Sequence, residues 1–393
     1  MTVDRASWAR TAIQGIYDET RETYGSAIGR ERSELVTPAL VLDLAAAKRN
    51  IARMSAAMHD LGSAIRPHMK AHKSPELCRL QVEAGAIGIS VATVWEAVVV
   101  ADAGLDHVFV VNTVAGPDKV TTVAELAADV DLIVAIDEAA NARTLAAAAR
   151  RAGSTLGVII EVDTGMNRAG VETPGAAVEL ARAVSEMDGL VLRGITGYEG
   201  HCALTPETDL RHAKQQAAMT VFIDVAESLE RHGLPCPIRS AGGTATWDWT
   251  AASPGVTEIQ AGTYVVMDNF HAAMVPGFEH SLTVQATVIS QPPGRIVVDA
   301  GSKSVADGEL ASIVGRPERP LRFDEEHGIF GASARPDIRV GDSVALVPGY
   351  SPSTVNAFDA IHVVEDETVT DVWPVIPRGP GHHGLRYGPG PSP

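Results

Sequence analysis

From Pro38 onward, short apolar runs alternate with alanine-rich stretches of helical spacing. The runs are Ala39–Leu42, Ala64–Arg66, Ile87–Ser90, His107–Val111, Leu132–Ile136, Gly157–Val162, Leu190–Thr196 and Ile238–Ser240. Between them lie stretches such as Ala45–Leu61, Val94–Ala103, Glu138–Ala152, Pro174–Met187 and Asp209–His232. Continuous apolar strands separated by helices predict a parallel sheet covered on both faces. Eight such units in about 230 residues have the size and rhythm of a (β/α)8 barrel. A doubly wound open sheet shares the alternation, and the count of repeats favours the barrel. After about residue 275 the rhythm changes. Val284–Ile289, Arg295–Asp299, Ser343–Pro348, Ala360–Val364 and Thr368–Val375 read as strands with Gly/Pro punctuation and no long helix between them. The expected organisation is a helical extension over 1–36 packing on the β domain, a barrel over 37–272 and a mainly β domain over 273–393. The tail Arg378–Pro393 is expected to be irregular.

Composition narrows the function. The chain has 393 residues, 21% of them charged, with a net charge of −17. That balance argues against nucleic acid or an anionic membrane as partner, while leaving room for a small anionic ligand at a local basic patch. Cys78, Cys202 and Cys236 form no CxxC pair, which fits a reducing, cytoplasmic setting. No apolar run reaches the roughly 20 residues that span a bilayer, and the first residues lack a signal pattern.

The densest chemistry lies in Arg66-Pro67-His68-Met69-Lys70-Ala71-His72-Lys73. A lysine in a partly desolvated, cation-rich site has a lowered pKa and can act as an amine nucleophile toward a carbonyl. A solvated basic turn is the alternative reading of this segment alone. Further polar clusters follow later strands: Asp163–Arg168, Tyr198-Glu199-Gly200-His201 and Ser240-Ala241-Gly242-Gly243-Thr244. In a barrel these strand ends share one face. The glycine pair lets backbone N–H groups approach an anion, and Gly262-Thr263-Tyr264 offers a second set of donors. A phosphate site together with a reactive lysine suggests pyridoxal 5′-phosphate (PLP).

Arg66–Ser74, Glu161–Val171, Gly197–His201, Gly242–Thr244, Glu258–Asp268, Asp299–Lys303 and Glu325–Gly328 together resemble the D-threonine aldolase / D-serine dehydratase family, fold-type III PLP enzymes related to alanine racemase. The resemblance runs from about Thr37 to Arg378. It implies an alanine-racemase-like (β/α)8 TIM barrel followed by a mainly β C-terminal domain, a homodimer, and a small amino-acid substrate. By the same resemblance Lys70 is the Schiff-base lysine, Lys73 a neighbour that keeps the site positive, and Arg168, Tyr198, Ser240, Gly242, Gly243, Thr244, Gly262, Thr263 and Tyr264 line the cofactor. His72, His201, His327 and Tyr350 are acid–base candidates, with Tyr198 able to place a proton; Asp299 and Lys303 read as structural.

One departure bears on mechanism. The family's divalent-metal pattern is roughly Pro-Asn-His-x-Cys/Asp-Pro-Thr-Val-Asn, and this chain has Pro348-Gly349-Tyr350-Ser351-Pro352-Ser353-Thr354-Val355-Asn356. Proline offers no side-chain ligand and a neutral phenol is a poor one, so the usual site is expected to be missing. Dehydration suffers most without that Lewis acid, because hydroxide must depart. Retro-aldol cleavage needs only a base on the hydroxyl. The expectation is therefore an aldolase-type lyase on a β-hydroxy D-amino acid, with a metal-independent racemase or epimerase and a non-catalytic PLP-binding protein as alternatives.

Overall fold

The computed structural model describes residues 5–316, 318–332 and 337–379, and in it the chain divides into two units. Met54–Lys70 and Cys78–Gly262 form one. The other comprises the described residues up to Arg53, then Ala71–Leu77, and the described residues from Thr263 on.

The first unit is built on eight parallel strands in the order Ala64–Ile65, Glu258–Ile259, Ile238–Ala241, Leu190–Gly197, Leu156–Val162, Asp131–Ile136, His107–Thr113 and Ile89–Val91. The two ends of that order meet. The Ile87 N–H donates to Ile65 O (3.0 Å) and the Ser90 N–H to Pro67 O (2.9 Å), with a parallel bridge between His68 and Ser90. The sheet thus closes into the expected barrel of eight parallel strands. Leu156–Val162 is buried at every position, as a strand covered on both faces must be. Phe109, Ile133, Ala135 and Ile159 pack as one core cluster in which each side chain is at most 1% exposed. Helices return the chain from one strand to the next. Val94–Asp102 starts at a capping box, in which the Thr93 hydroxyl accepts from Glu96 N and the Glu96 carboxylate accepts from Thr93 N.

Where the barrel closes, the Arg66 guanidinium meets the Glu258 carboxylate through two bonds of 2.9 and 3.0 Å. A Cβ at Gly88 would lie 2.5 Å from Arg66 Nη1, so this position has room only for glycine.

Seven of the eight expected runs lie in this sheet, and one does not. Ala39–Asp43 pairs antiparallel with Leu282–Ser290 and parallel with Ala360–Glu365 in the other unit. A strand in the middle of a sheet covered on both faces has the same unbroken apolar pattern in either place. The eighth barrel strand is instead Glu258–Ile259, which pairs parallel with Ala64–Ile65 and Ile238–Ala241. Two residues beginning with a carboxylate carry too little pattern to read as a strand.

The second unit holds a nine-stranded sheet. Ala39–Asp43 is its central strand, and Ser312–Ile313, Pro320–Phe323 and Gly328–Gly331 are short strands that the sequence pattern did not announce. The helix Arg5–Tyr24 lies within this unit. Its Tyr24 hydroxyl donates to Asp359 (3.2 Å), and Arg21 pairs with Asp371 (3.4 Å) on the strand Thr368–Pro374. The irregular tail expected over Arg378–Pro393 lies, beyond Gly379, outside the described residues. Among the described residues no helix is long and apolar enough to cross a membrane, and Cys78, Cys202 and Cys236 are buried and outside any disulfide.

Candidate active site

Lys70 sits just past the first barrel strand. The Arg66 N–H donates to Ile259 O (2.9 Å) and the His68 N–H to Ala261 O (3.3 Å), which carries the parallel pairing beyond Ile65. A single 3-10 turn over Met69–Ala71 follows, with Met69 and Ala71 buried and Lys70 solvent-accessible. The Lys70 N–H donates to His68 Nδ1 (3.3 Å), which fixes the turn. The Lys70 Nζ lies 5.6 Å from the centroid of the Tyr198 ring, and the Arg168 guanidinium carbon lies 6.0 Å from the same centroid. Lys70 is exposed as a residue, while its amine is crowded by protein. Burial pushes its pKa below the usual lysine range, the Glu96 carboxylate opposes that shift, and the Arg168 charge adds to it. A lysine so placed holds a larger neutral, nucleophilic fraction at any given pH.

Arg168 is aimed by the loop after Leu156–Val162. Asp163 Oδ1 accepts from Gly165 N (2.9 Å) and Asn167 N (3.1 Å), and Asn167 takes a left-handed φ of +52°. The guanidinium then reaches Glu161 Oε1 at 3.4 Å. Burial raises the Glu161 pKa, and Arg168 pulls it back. One test follows from the charge layout. Arg168→Met removes a cation that disfavours the Lys70 ammonium, so the pH dependence of Lys70 reaction with an aldehyde in cofactor-free protein should move to higher pH. The shift should stay below about one unit, because burial is the larger cause. A profile that stays in place or moves down would break the Arg168–Lys70 link.

Tyr198 and the Ser240–Thr244 turn are fitted to each other. Built at Gly243, a Cβ would lie 2.9 Å from the Tyr198 ring, and one at Gly200 would collide with that ring on its other flank. Gly242 has a φ of +80°, where L side chains are strained. Its N–H is not open to a ligand, because it donates to Glu199 Oε2 at 3.2 Å. The sequence pattern puts Gly242 among the anion-facing donors, whereas the fold commits that donor to a buried carboxylate. Ser240 is fully buried and its hydroxyl accepts from Gln260 Nε2 (2.8 Å), which also donates to Thr196 Oγ1 (2.9 Å). Sequence reasoning passed over Glu96 and Gln260 entirely. A polar residue beside an apolar run, Glu258-Ile259-Gln260, was the available signal for the latter.

The remaining candidates divide between the two units. Lys73 is buried, with a φ of +47°, and its Nζ donates to Pro377 O (2.9 Å) in the β unit, so it is held by backbone. His72 is fully buried and its Nδ1 accepts from Ser74 N (3.2 Å), which makes it part of the turn entering the helix Pro75–Glu83 rather than a solvent-facing acid or base. Gly262 closes the barrel unit, while Thr263 and Tyr264 are buried in the β unit. The Tyr264 ring packs edge-on against Phe278 (5.7 Å). His201 has a buried Nδ1 without a partner among the described residues and an Nε2 3.8 Å from Cys202 Sγ. In the β unit, Tyr350 stacks on His271 (6.1 Å), whose Nδ1 meets Asp268 Oδ1 at 2.7 Å. Burial, followed by the charges of Asp268 and Asp307, raises the Tyr350 pKa. His327 lies exposed in a turn where its carbonyl accepts from Asp324 N, Asp299 accepts from Thr37 and Thr287, and Lys303 pairs with Glu325 and Glu326 at the surface.

The barrel end therefore offers an amine of lowered pKa, a guanidinium, an aromatic plate and a glycine turn with no Cβ to fill it. That donor set suits a ligand carrying an aldehyde, an aromatic ring and a phosphate. Residues 42–269 match the alanine racemase N-terminal domain and residues 281–364 a serine dehydratase domain. The chain is 35% identical to a D-threonine aldolase of an Arthrobacter species, over 87% of this chain and 93% of that one. It is 31% identical to the D-threo-3-hydroxyaspartate dehydratase of a Delftia species, over 86% and 97%. The crystal structure of D-threonine aldolase from Filomicrobium marinum superposes with a TM-score of 0.86 at 34% identity, covering 89% of this chain and 98% of that one. This chain belongs to the D-threonine aldolase / D-serine dehydratase family of alanine-racemase-like PLP proteins.

Proposed function

We propose that this protein is a PLP-dependent lyase that cleaves a β-hydroxy D-amino acid to an aldehyde and a smaller amino acid. The observation that carries the reading is Lys70, a lysine of lowered pKa that shares the Tyr198 ring with Arg168 at the end of a barrel strand. The names and coverage of the relatives support the lyase class and the β-hydroxy D-amino acid substrate.

In this reading Lys70, the Tyr198 ring and the turn from Gly243 to Thr244 are the residues that would hold the cofactor, the lysine at its aldehyde and the turn at its phosphate. When bound, the cofactor supplies a conjugated ring that accepts the electron pair left at Cα. Arg168 keeps the mouth positive for the substrate carboxylate and sustains the neutral form of the Lys70 amine. Tyr350, with its raised pKa, stays a phenol at neutral pH.

The positions where the family carries its metal do not fit a divalent ion. Pro352 has no side-chain donor, and the Tyr350 phenol is held protonated by burial and by two carboxylates. We therefore propose cleavage of the Cα–Cβ bond as the reaction here, in preference to dehydration. A homodimer is part of the same proposal, and light scattering of the purified protein measures it.

The test is a product assay. Purified protein with PLP is mixed with D-threonine and followed for acetaldehyde, glycine, ammonia and optical purity. Acetaldehyde and glycine in equal amounts are the expected result. Loss of optical purity with no aldehyde would make the protein a racemase, and a 2-oxo acid with ammonia would make it a dehydratase. A bound cofactor that no amino acid perturbs would make it a binding protein.

A further inference from the structure

Glu199 is a buried carboxylate to which the proposed reaction assigns nothing. It is 1% exposed and follows Tyr198 directly. Its Oε1 accepts from the hydroxyls of Thr246 (2.7 Å) and Thr250 (2.6 Å), and its Oε2 from the Gly242 N–H (3.2 Å). The Thr250 hydroxyl is itself held by Gln215 Nε2 (3.1 Å). The charge is felt nearby: burial, and then Glu199, push the Cys202 thiol pKa up to about 12. A buried carboxylate is tolerated only where donors replace its water, and three converge here.

We propose that Glu199 is the positioning residue of the phosphate site. It ties the end of the strand Leu190–Gly197 to the turn that follows Ile238–Ala241, and so fixes the face that Gly243 and Thr244 turn to the ligand. Two features carry this. The left-handed Gly242 has its N–H drawn inward to Glu199, which sets the direction of the next peptide. The Tyr198 ring is wedged between Gly200 and Gly243, so the residue that anchors the turn also anchors the aromatic plate. Charge alone argues the other way, since a carboxylate beneath a phosphate site repels the phosphate. Position and charge thus predict opposite signs. The inference rests on the reading of this turn as a phosphate site.

The test compares PLP with pyridoxal, which lacks the phosphate, binding to cofactor-free protein by equilibrium dialysis. Wild type is expected to hold PLP more tightly. In Glu199→Gln the amide N–H either faces the Gly242 N–H or takes the place of the oxygen to which Thr246 and Thr250 donate, so the three donors can no longer all be met as they stand; PLP affinity should fall about ten- to a hundredfold, the scale of a lost hydrogen bond to a charged group, while pyridoxal changes by less than about twofold. Thr246→Val, nearly isosteric, removes one donor from the same carboxylate and should show a smaller loss with the same selectivity. Equal losses for both vitamers would mean a general structural role and overturn the proposal. So would unchanged or tighter PLP binding, the latter marking a charge effect. If Glu199→Gln does not fold, Thr246→Val decides; if neither folds, Glu199 is a folding residue and the proposal fails. A wild-type protein with no preference for PLP over pyridoxal would instead remove the phosphate reading itself.

Discussion

Lys70→Ala should reduce turnover by on the order of 10³- to 10⁶-fold, the range seen when a nucleophile acting as part of a unit is removed. It should also abolish covalent retention of the cofactor. Borohydride reduction of the holoprotein followed by peptide mass mapping should place the added mass on Lys70 in the wild type and on no residue in the variant. The fold should survive, because Lys70 is solvent-accessible and donates only through its backbone to His68 among the bonds that fix this turn. The reason for choosing Lys70 over Lys73 is physical. Lys73 Nζ is buried and already donates to Pro377 O, and the backbone there is pinned from both sides by a positive φ and by the Ile376 N–H, which donates to Lys73 O. Moving Lys73 toward a ligand would strip that carbonyl of its partner. Reduced mass on Lys73 in the wild type would reverse the assignment and, with it, the geometry of the whole proposed site.

Glu258→Ala should destabilise the protein by about 3–5 kcal/mol, the cost of leaving one partner of a buried ion pair alone. The Arg66 and Glu258 side chains are 7% and 3% exposed, and the two bonds between them are parallel and short. Removing the carboxylate leaves a guanidinium that is 7% exposed without its charged partner. Replacing both, as Arg66→Met with Glu258→Leu, should recover most of the loss, since the desolvation of the pair nearly offsets its attraction. Urea unfolding of the three variants measures this. A loss below about 1 kcal/mol for the single variant would show that water reaches the pair and that it behaves like a surface contact. Because Arg66 lies four residues before Lys70 and donates its backbone N–H to Ile259, the variant also reports whether the barrel seam holds the lysine turn in place.

Much of the barrel can be read from periodicity because a strand buried on both faces must be apolar throughout. Leu156–Val162 and Asp131–Ile136 stand out for that reason. The same logic misplaces Ala39–Asp43, whose partners Leu282–Ser290 and Ala360–Glu365 are more than two hundred residues away. It overlooks Glu258–Ile259 because two residues, one of them a carboxylate, carry too little pattern to read as a strand. Candidate groups such as Lys70, Arg168, Tyr198 and the glycine turn are visible as clusters at strand ends. What Glu199, Glu96 and Gln260 do is not, because a carboxylate or amide in the sequence carries no mark of whether it will be buried among donors or face water.

By itself, then, the sequence determined the alternation that makes a parallel barrel, the β character of the C-terminal region, and a local excess of cations, aromatics and glycines at the ends of its strands. These follow from covalent neighbours and from a repeat that each segment carries alone. It took the folded chain to place the eighth strand at Glu258–Ile259, to leave Lys70 exposed and Lys73 buried, and to turn the Gly242 N–H inward. Those outcomes depend on groups brought together across scores of residues, where burial and the geometry of hydrogen bonding settle what each side chain is able to do.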